Sequence, residues 1–266
     1  MKAWRYLFGE ASAAMNMAID RAVLQLAANR KSPPTLRLYT WNPPAVSLGY
    51  FQRKRGPNPE ALRRFGFDVI RRPSGGRAVL HKGDVTYAVV AGLDEGMPYR
   101  ADQAYRLISK GILLGLRRLG VPADSYDGAQ ETPMPAICFL RPASAEMVHQ
   151  GKKFVGNAQT WSGQTLLQHG SIAVEPQADY LADLFRPERY PLAQFRQAIA
   201  SKITSLNEIL GRTVGVAEVA EAVKEGMSEA LGATFEQGEL TREELALAEK
   251  LALQPEKELS HGSRRV

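Results

Sequence analysis

The sequence predicts an α+β fold: a mixed, largely antiparallel sheet with helices packed on it, followed by a helical end. Three observations predict it. Strand-like segments crowd the first two-thirds of the 266 residues, with few helices between them. Helical apolar spacing is sustained early only near Met15 to Leu26 and from about Ala101 to Leu119, and helices dominate from Ala178 onward. Strands and helices do not alternate regularly, so a wound parallel sheet is not expected.

In chain order, Trp4 to Phe8 reads as a short strand. Ser12 is placed to cap the first helix, where Met15, Ala18, Ile19, Ala22 and Leu26 recur at helical spacing until Pro33-Pro34 ends the segment. Leu36 to Tyr39 alternates as a strand does, Asn42-Pro43-Pro44 turns, and Ala45 to Gly49 is the returning strand. Pro59 to Phe65 predicts a short helix and Asp68 to Arg71 another strand. Ala78 to Leu80 and Val85 to Val90 flank Lys82-Gly83-Asp84 and are expected to pair. Tyr105, Ile108, Ile112, Leu116 and Leu119 form the buried stripe of a long helix, whose Gly111 and Gly115 lower its propensity but not its pattern. Ala136 to Phe139, Phe154 to Trp161 and Leu166 to Val174 read as extended. Val216, Val219, Val223, Met227 and Leu231 share a face of a late helix, and Thr241 with Glu244 forms a capping box before the last one. Residues 1–253 are expected to form a single domain, helical from about 178, with 254–266 a polar, frayed tail.

Composition narrows the chemistry. At 44% hydrophobic and 23% charged the chain can bury a large core. No apolar run approaches the roughly 18 residues of a membrane helix, and the first residues lack a signal-peptide core, so the cytoplasm is expected and no membrane partner. A single cysteine excludes an intrachain disulfide and a cysteine-cluster metal site, and the four histidines lack zinc-ligand spacing, so no metal is implied. The net charge is +6, with basic clusters such as Arg53-Lys54-Arg55 and Lys152-Lys153. No zinc finger, RNA-binding signature or long basic helix accompanies them, so nucleic acid is not the expected partner. A solvated surface and a docking face for an acidic macromolecule both remain.

Three motifs carry chemistry. Arg71 to His81 holds two arginines before Gly75-Gly76, whose backbone can approach a ligand closely; it fits neither the dinucleotide fingerprint nor the P-loop. Gln150 to Gln159 leads from two lysines into a strand where Gly156 and Ala158 leave room beside it, and on a strand only one of Lys152 and Lys153 can face a pocket. Leu167 to Ile172 places His169 before Gly170, where it lines a pocket or merely ends a strand.

In this order the motifs resemble the lipoate–protein ligase and octanoyltransferase family, with supporting matches in Asn16 to Asp20 and Trp41 to Gln52. The resemblance spans roughly residues 1 to 250. It implies the biotin/lipoate ligase catalytic domain, class II aminoacyl-tRNA synthetase-like, and one of two chemistries. Ligases of the family activate a free acid with ATP; its cysteine-dependent transferases move an octanoyl group from acyl carrier protein through a thioester. Both deliver it to a lysine of a lipoyl domain. Cys138 stands fifteen positions before Lys153, an arrangement similar to the LipM-type transferase branch. Arg77 points the same way, standing where the ligases tend to carry a third glycine.

The resemblance therefore implies Cys138 as acyl-thioester nucleophile and Lys153 as the residue that favours its thiolate and acts as general base. Backbone N–H groups near Gly156, Asn157 and Ala158 would stabilise the oxyanion. Arg72, Ser74, Gly75, Gly76, Arg77 and His81, with His169 and Gly170, would shape the substrate pocket. Asn157 departs from the serine common at its position. No cofactor is implied. The expected partners are octanoyl-acyl carrier protein as donor and a lipoyl-domain protein such as the glycine cleavage H protein as acceptor; the oligomeric state is left open, with a monomer favoured. An ATP-dependent lipoate–protein ligase, and a non-catalytic acyl- or lipoyl-domain-binding protein of the same fold, are the alternatives.

Overall fold

The structure is a computed structural model that describes residues 2–53, 56–126 and 146–253. Cys138, the expected strand at 136–139 and the tail lie outside the described residues.

The chain opens with β1 (Lys2–Ala11) and α1 (Ala13–Ala28), whose first turn is capped by the Ser12 side chain as expected. Strands β2 (Thr35–Trp41) and β3 (Ala45–Leu48) follow, then α2 (Pro59–Phe65), β4 (Asp68–Arg71), β5 (Val79–His81) and β6 (Asp84–Gly92). The long helix α3 (Ala101–Arg118) buries Ile108, Ile112 and Leu116. Next come β7 (Asp124–Tyr126), β8 (Glu146–His149), β9 (Lys152–Ser162) and β10 (Thr165–Ala173). The helical part holds α4 (Ala178–Phe185), α5 (Leu192–Ala200), α6 (Leu206–Leu210), α7 (Val216–Leu231), β11 (Ala233–Gln237) and α8 (Arg242–Ala252). The expected Thr241–Glu244 capping box opens α8.

Eight strands form one mixed sheet in the order β11-β1-β2-β6-β10-β9-β8-β7. Only the β11–β1 and β1–β2 pairs are parallel. A second sheet has the order β4-β3-β5. Two expected pairings differ. β3 does not return beside β2, because β1 and β6 already occupy both edges of β2. β5 does not pair with β6, whose edges are taken by β2 and β10; it pairs with β3 instead. The small sheet has its own core, where Val46, Val79 and Leu80 pack with Leu181 of α4 and Ile199 of α5.

Each face of the large sheet is covered. α3 and α7 pack on one, against Leu36, Leu38, Tyr87 and Phe154. They approach closely, since a Cβ on Gly226 would stand 2.2 Å from the Gly115 nitrogen. α1 and α8 cover the other face over Tyr39, Ala88, Val90 and Leu167. A buried ion pair, Arg5 Nη1 to Glu244 Oε2 at 2.6 Å, ties α8 to β1. No helix among the described residues is long and apolar enough to cross a membrane.

Candidate active site

A pocket with about 360 Å³ of empty space lies between the two sheets, with Met17 of α1 in its wall. Sheet register builds most of it. Ser171 on β10 is opposite Thr86 of β6 and Gly156 of β9; His169 is opposite Ala88 and Ala158. Directly paired residues share a face. Gly156 and Ala158 are small, so they leave a hollow beside His169 and Ser171. Asn157, between them, turns its side chain to the other face, where its Oδ1 accepts from the Tyr87 hydroxyl at 2.8 Å and its Nδ2 donates to Ser109.

Two buried carboxylates organise the wall. Asp20 on α1 accepts from the Tyr39 hydroxyl and from Arg37, each at 2.8 Å, and pairs with His169 Nδ1 at 3.1 Å. On its far side His169 Nε2 meets the Ser74 hydroxyl. Burial pushes the Asp20 carboxyl up, but the His169 hydrogen bond, the Arg37 charge and the Tyr39 hydroxyl outweigh it and hold the carboxyl below its ordinary value. Burial dominates at His169 and pushes the imidazole below its ordinary value, against the pull of Asp20. Burial and the Asp20 charge push the Tyr39 phenol well up. With a neutral imidazole the directions follow: Nδ1–H donates to Asp20, and Nε2 accepts from Ser74. The Asp20–His169–Ser74 order is that of a hydrolytic triad, but Ser74 is buried and does not line the pocket.

The second carboxylate, Asp84, pairs with His81 Nδ1 at 2.9 Å and accepts from the hydroxyls of Thr86 at 3.0 Å and Ser171 at 2.7 Å. His81 Nε2 meets the Ser47 hydroxyl at 2.8 Å, and the ring stacks on Trp41 with centroids 3.9 Å apart. The Trp41 indole N–H donates to Thr86 at 2.8 Å. Arg72 closes the set. Its Nη1 donates to the Ser47 carbonyl and hydroxyl, its Nε and Nη2 to the Gly75 carbonyl, and Nη2 also to the Arg77 carbonyl. With these contacts the guanidinium acts as a brace for the glycine loop.

The pocket brings together Arg72, His81, Gly156, Asn157, Ala158, His169 and Gly170 from three motifs far apart in sequence. Ser74 stands behind the wall, bonded to His169. Gly75, Gly76 and Arg77 do not line it; Gly75 and Arg77 offer carbonyls to Arg72, and Gly76 packs under Gly49. Lys153 is 1% exposed and Lys152 half-buried, yet neither lines the pocket. The Lys153 backbone is held between Lys202 and Thr204 by hydrogen bonds of 2.9 and 3.1 Å. Sequence reasoning did not single out Met17, Tyr39, Trp41, Ser47, Val79, Thr86 and Ser171 as liners, nor Asp20 and Asp84 as hubs. A signal existed for several, since Asn16 to Asp20 and Trp41 to Gln52 are stretches that carry the family resemblance. Asp84 carried none; it sits in what reads as a turn.

Residues 12–228 match the lipoyl protein ligase A/B catalytic domain. An octanoyltransferase LipM of Kyrpidia tusciae is 44% identical over 261 residues, covering 94% of this chain and 95% of the relative. That of Bacillus subtilis is 38% identical, covering 94% of each chain. The bipartite lipoate protein ligase of Thermoplasma acidophilum superimposes with a TM-score of 0.78 over 96% of this chain and 93% of its own, at 23% identity. A lipoate–protein ligase A bound with ATP also gives 0.78 at 23% identity, over 96% and 95%. At that identity the two structures speak to the fold, which is the one the sequence resemblance implied.

Proposed function

The chain belongs to the lipoyl protein ligase A/B catalytic domain family, and on that premise we propose that it is an acyltransferase of lipoate biosynthesis. It takes an octanoyl group from octanoyl-acyl carrier protein and delivers it to a lysine of a lipoyl-domain protein such as the glycine cleavage H protein. The observation that carries this reading is near full-length similarity to relatives named octanoyltransferase, at 44% and 38% identity.

The steps balance without an added energy source. The Cys138 thiolate attacks the donor thioester, a tetrahedral oxyanion forms and collapses, and the carrier leaves as its thiol, taking the proton that the Lys153 ammonium had held and leaving Lys153 neutral. One thioester replaces another, so this exchange is close to thermoneutral. The acceptor amine then attacks the Cys138 thioester, expels the thiolate, and an amide forms, which makes the second step downhill. Lys153 accepts the proton that the incoming amine gives up. The pocket between the sheets holds the acyl chain, and the net charge of +6 favours acidic carrier and lipoyl domains, with encounter rates that fall as salt rises.

Intact mass spectrometry tests it. The protein incubated with octanoyl-acyl carrier protein and no ATP is expected to gain one hydroxylamine-labile octanoyl group, absent in Cys138→Ser. ATP-dependent lipoylation that survives Cys138→Ser, with no adduct, would replace the transferase by the ligase; inactivity in both assays would leave a binding protein.

A further inference from the structure

We propose that the pocket selects against acyl chains bearing an acceptor oxygen, so that a keto-substituted chain is rejected in favour of the saturated one. This rests on reading the pocket as the acyl site.

Among the described residues, the polar side chains of the wall point their hydrogens into protein. The Trp41 N–H goes to Thr86, and the Thr86 and Ser171 hydroxyls go to Asp84. The Tyr39 hydroxyl goes to Asp20. Both nitrogens of His81 and of His169 are engaged, so ring carbon is what these imidazoles leave for the cavity. The Arg72 N–H groups go to backbone carbonyls and Ser47.

Thus two buried carboxylates draw the donors of the wall away from the hollow. A methylene chain meets ring carbon, Met17, Val79, Gly156 and Ala158, and loses nothing there. A ketone oxygen can only accept. Stripped of water, it would meet no free side-chain hydrogen among the described residues of the wall, and a buried acceptor without a partner is costly. A hydroxyl suffers less, because it can donate to lone pairs that Ser171 and Asp84 retain.

The test uses the full chain with octanoyl and 7-oxooctanoyl pantetheine thioesters, and with their non-transferable thioether counterparts, whose oxo oxygen is acceptor-only. Octanoyl is expected to be favoured about 10- to 100-fold, both in kcat/KM and in thioether Kd. Thioether affinities within about threefold of each other would overturn the inference, even if octanoyl transfer proceeds normally. Discrimination in binding with no transfer of either chain would overturn the transferase reading and leave this one standing.

Thr86→Val supplies a second check, because it removes the acceptor of the Trp41 N–H and turns that donor free at the wall. The octanoyl preference should narrow several-fold, whereas a general loss of folded protein would lower both substrates and leave the ratio alone. Val79→Thr, which adds a hydroxyl at a lining position, should narrow it as well. An unchanged ratio in both variants would count against the proposal.

Discussion

His169 Nδ1 stands 3.1 Å from Asp20 Oδ2, a contact between residues 149 positions apart. It ties α1 to the centre of the large sheet. Asp20 also receives Tyr39 and Arg37, and Arg37 lies over the Tyr39 ring at 3.7 Å, so one carboxylate orders a helix, two strands and the pocket wall.

Removing the charge from Asp20 should therefore damage the fold as well as the site. Asp20→Asn leaves the buried Arg37 guanidinium without its counter-ion. Breaking one side of a buried pair costs about 3–5 kcal/mol. Urea unfolding should show a loss of that order, and a change under about 1 kcal/mol would mean the pair is not what holds α1 to the sheet.

The same pair sets a pH dependence. Burial keeps His169 neutral in the folded protein, while the unfolded chain protonates it near pH 6.5. Protons then favour unfolding, so the stability that depends on a neutral His169 is intact above about pH 6.5 and declines as pH falls below it. Asp20, held below its ordinary value, contributes stability that is lost only below about pH 4. Tm should fall between about pH 7.5 and 5, with a shallower slope in His169→Gln. Equal slopes would remove His169 as the group responsible.

Gly49→Ala tests the glycine loop. A Cβ there would stand 2.0 Å from the Gly76 carbonyl oxygen, so the loop that Arg72 braces must move. A displacement of about 1 Å near a reacting site can cost about 100-fold in rate. The expected result is a fall of that order in kcat/KM with a modest loss in Tm. Gly56→Ala, with nothing within 4 Å of the added carbon, should behave as wild type.

Arg72→Lys keeps the charge and loses the fork. One ammonium cannot serve Ser47, Gly75 and Arg77 together. Octanoyl transfer should drop by roughly 10- to 100-fold, and stability by about 1–3 kcal/mol from the carbonyls left without donors. Activity within about threefold of wild type would show that the loop holds its shape without the brace.

Much of this protein was legible along the chain. The Ser12 cap and the Thr241–Glu244 capping box are local patterns, written within one turn, and the structure carries both; of the expected α3 stripe it buries Ile108, Ile112 and Leu116, while Tyr105 is half-buried and Leu119 caps the helix end, half-buried as well. The pocket residues from Arg72 to Gly170 were legible only through family resemblance, because glycines, lysines and a histidine in isolation have ordinary structural explanations.

Tertiary structure decided the rest. Periodicity makes Val79–His81 and Asp84–Gly92 strands, but does not say which strand each joins; the edges of β6 went to β2 and β10, and β5 was left to the small sheet. β11 was not foreseen, since its place beside β1 depends on α7 returning the chain to that edge. Asp20 and Asp84 read as a helix residue and a turn residue. They became hubs because folding buried them, and a buried carboxylate must collect donors from whatever packs against it.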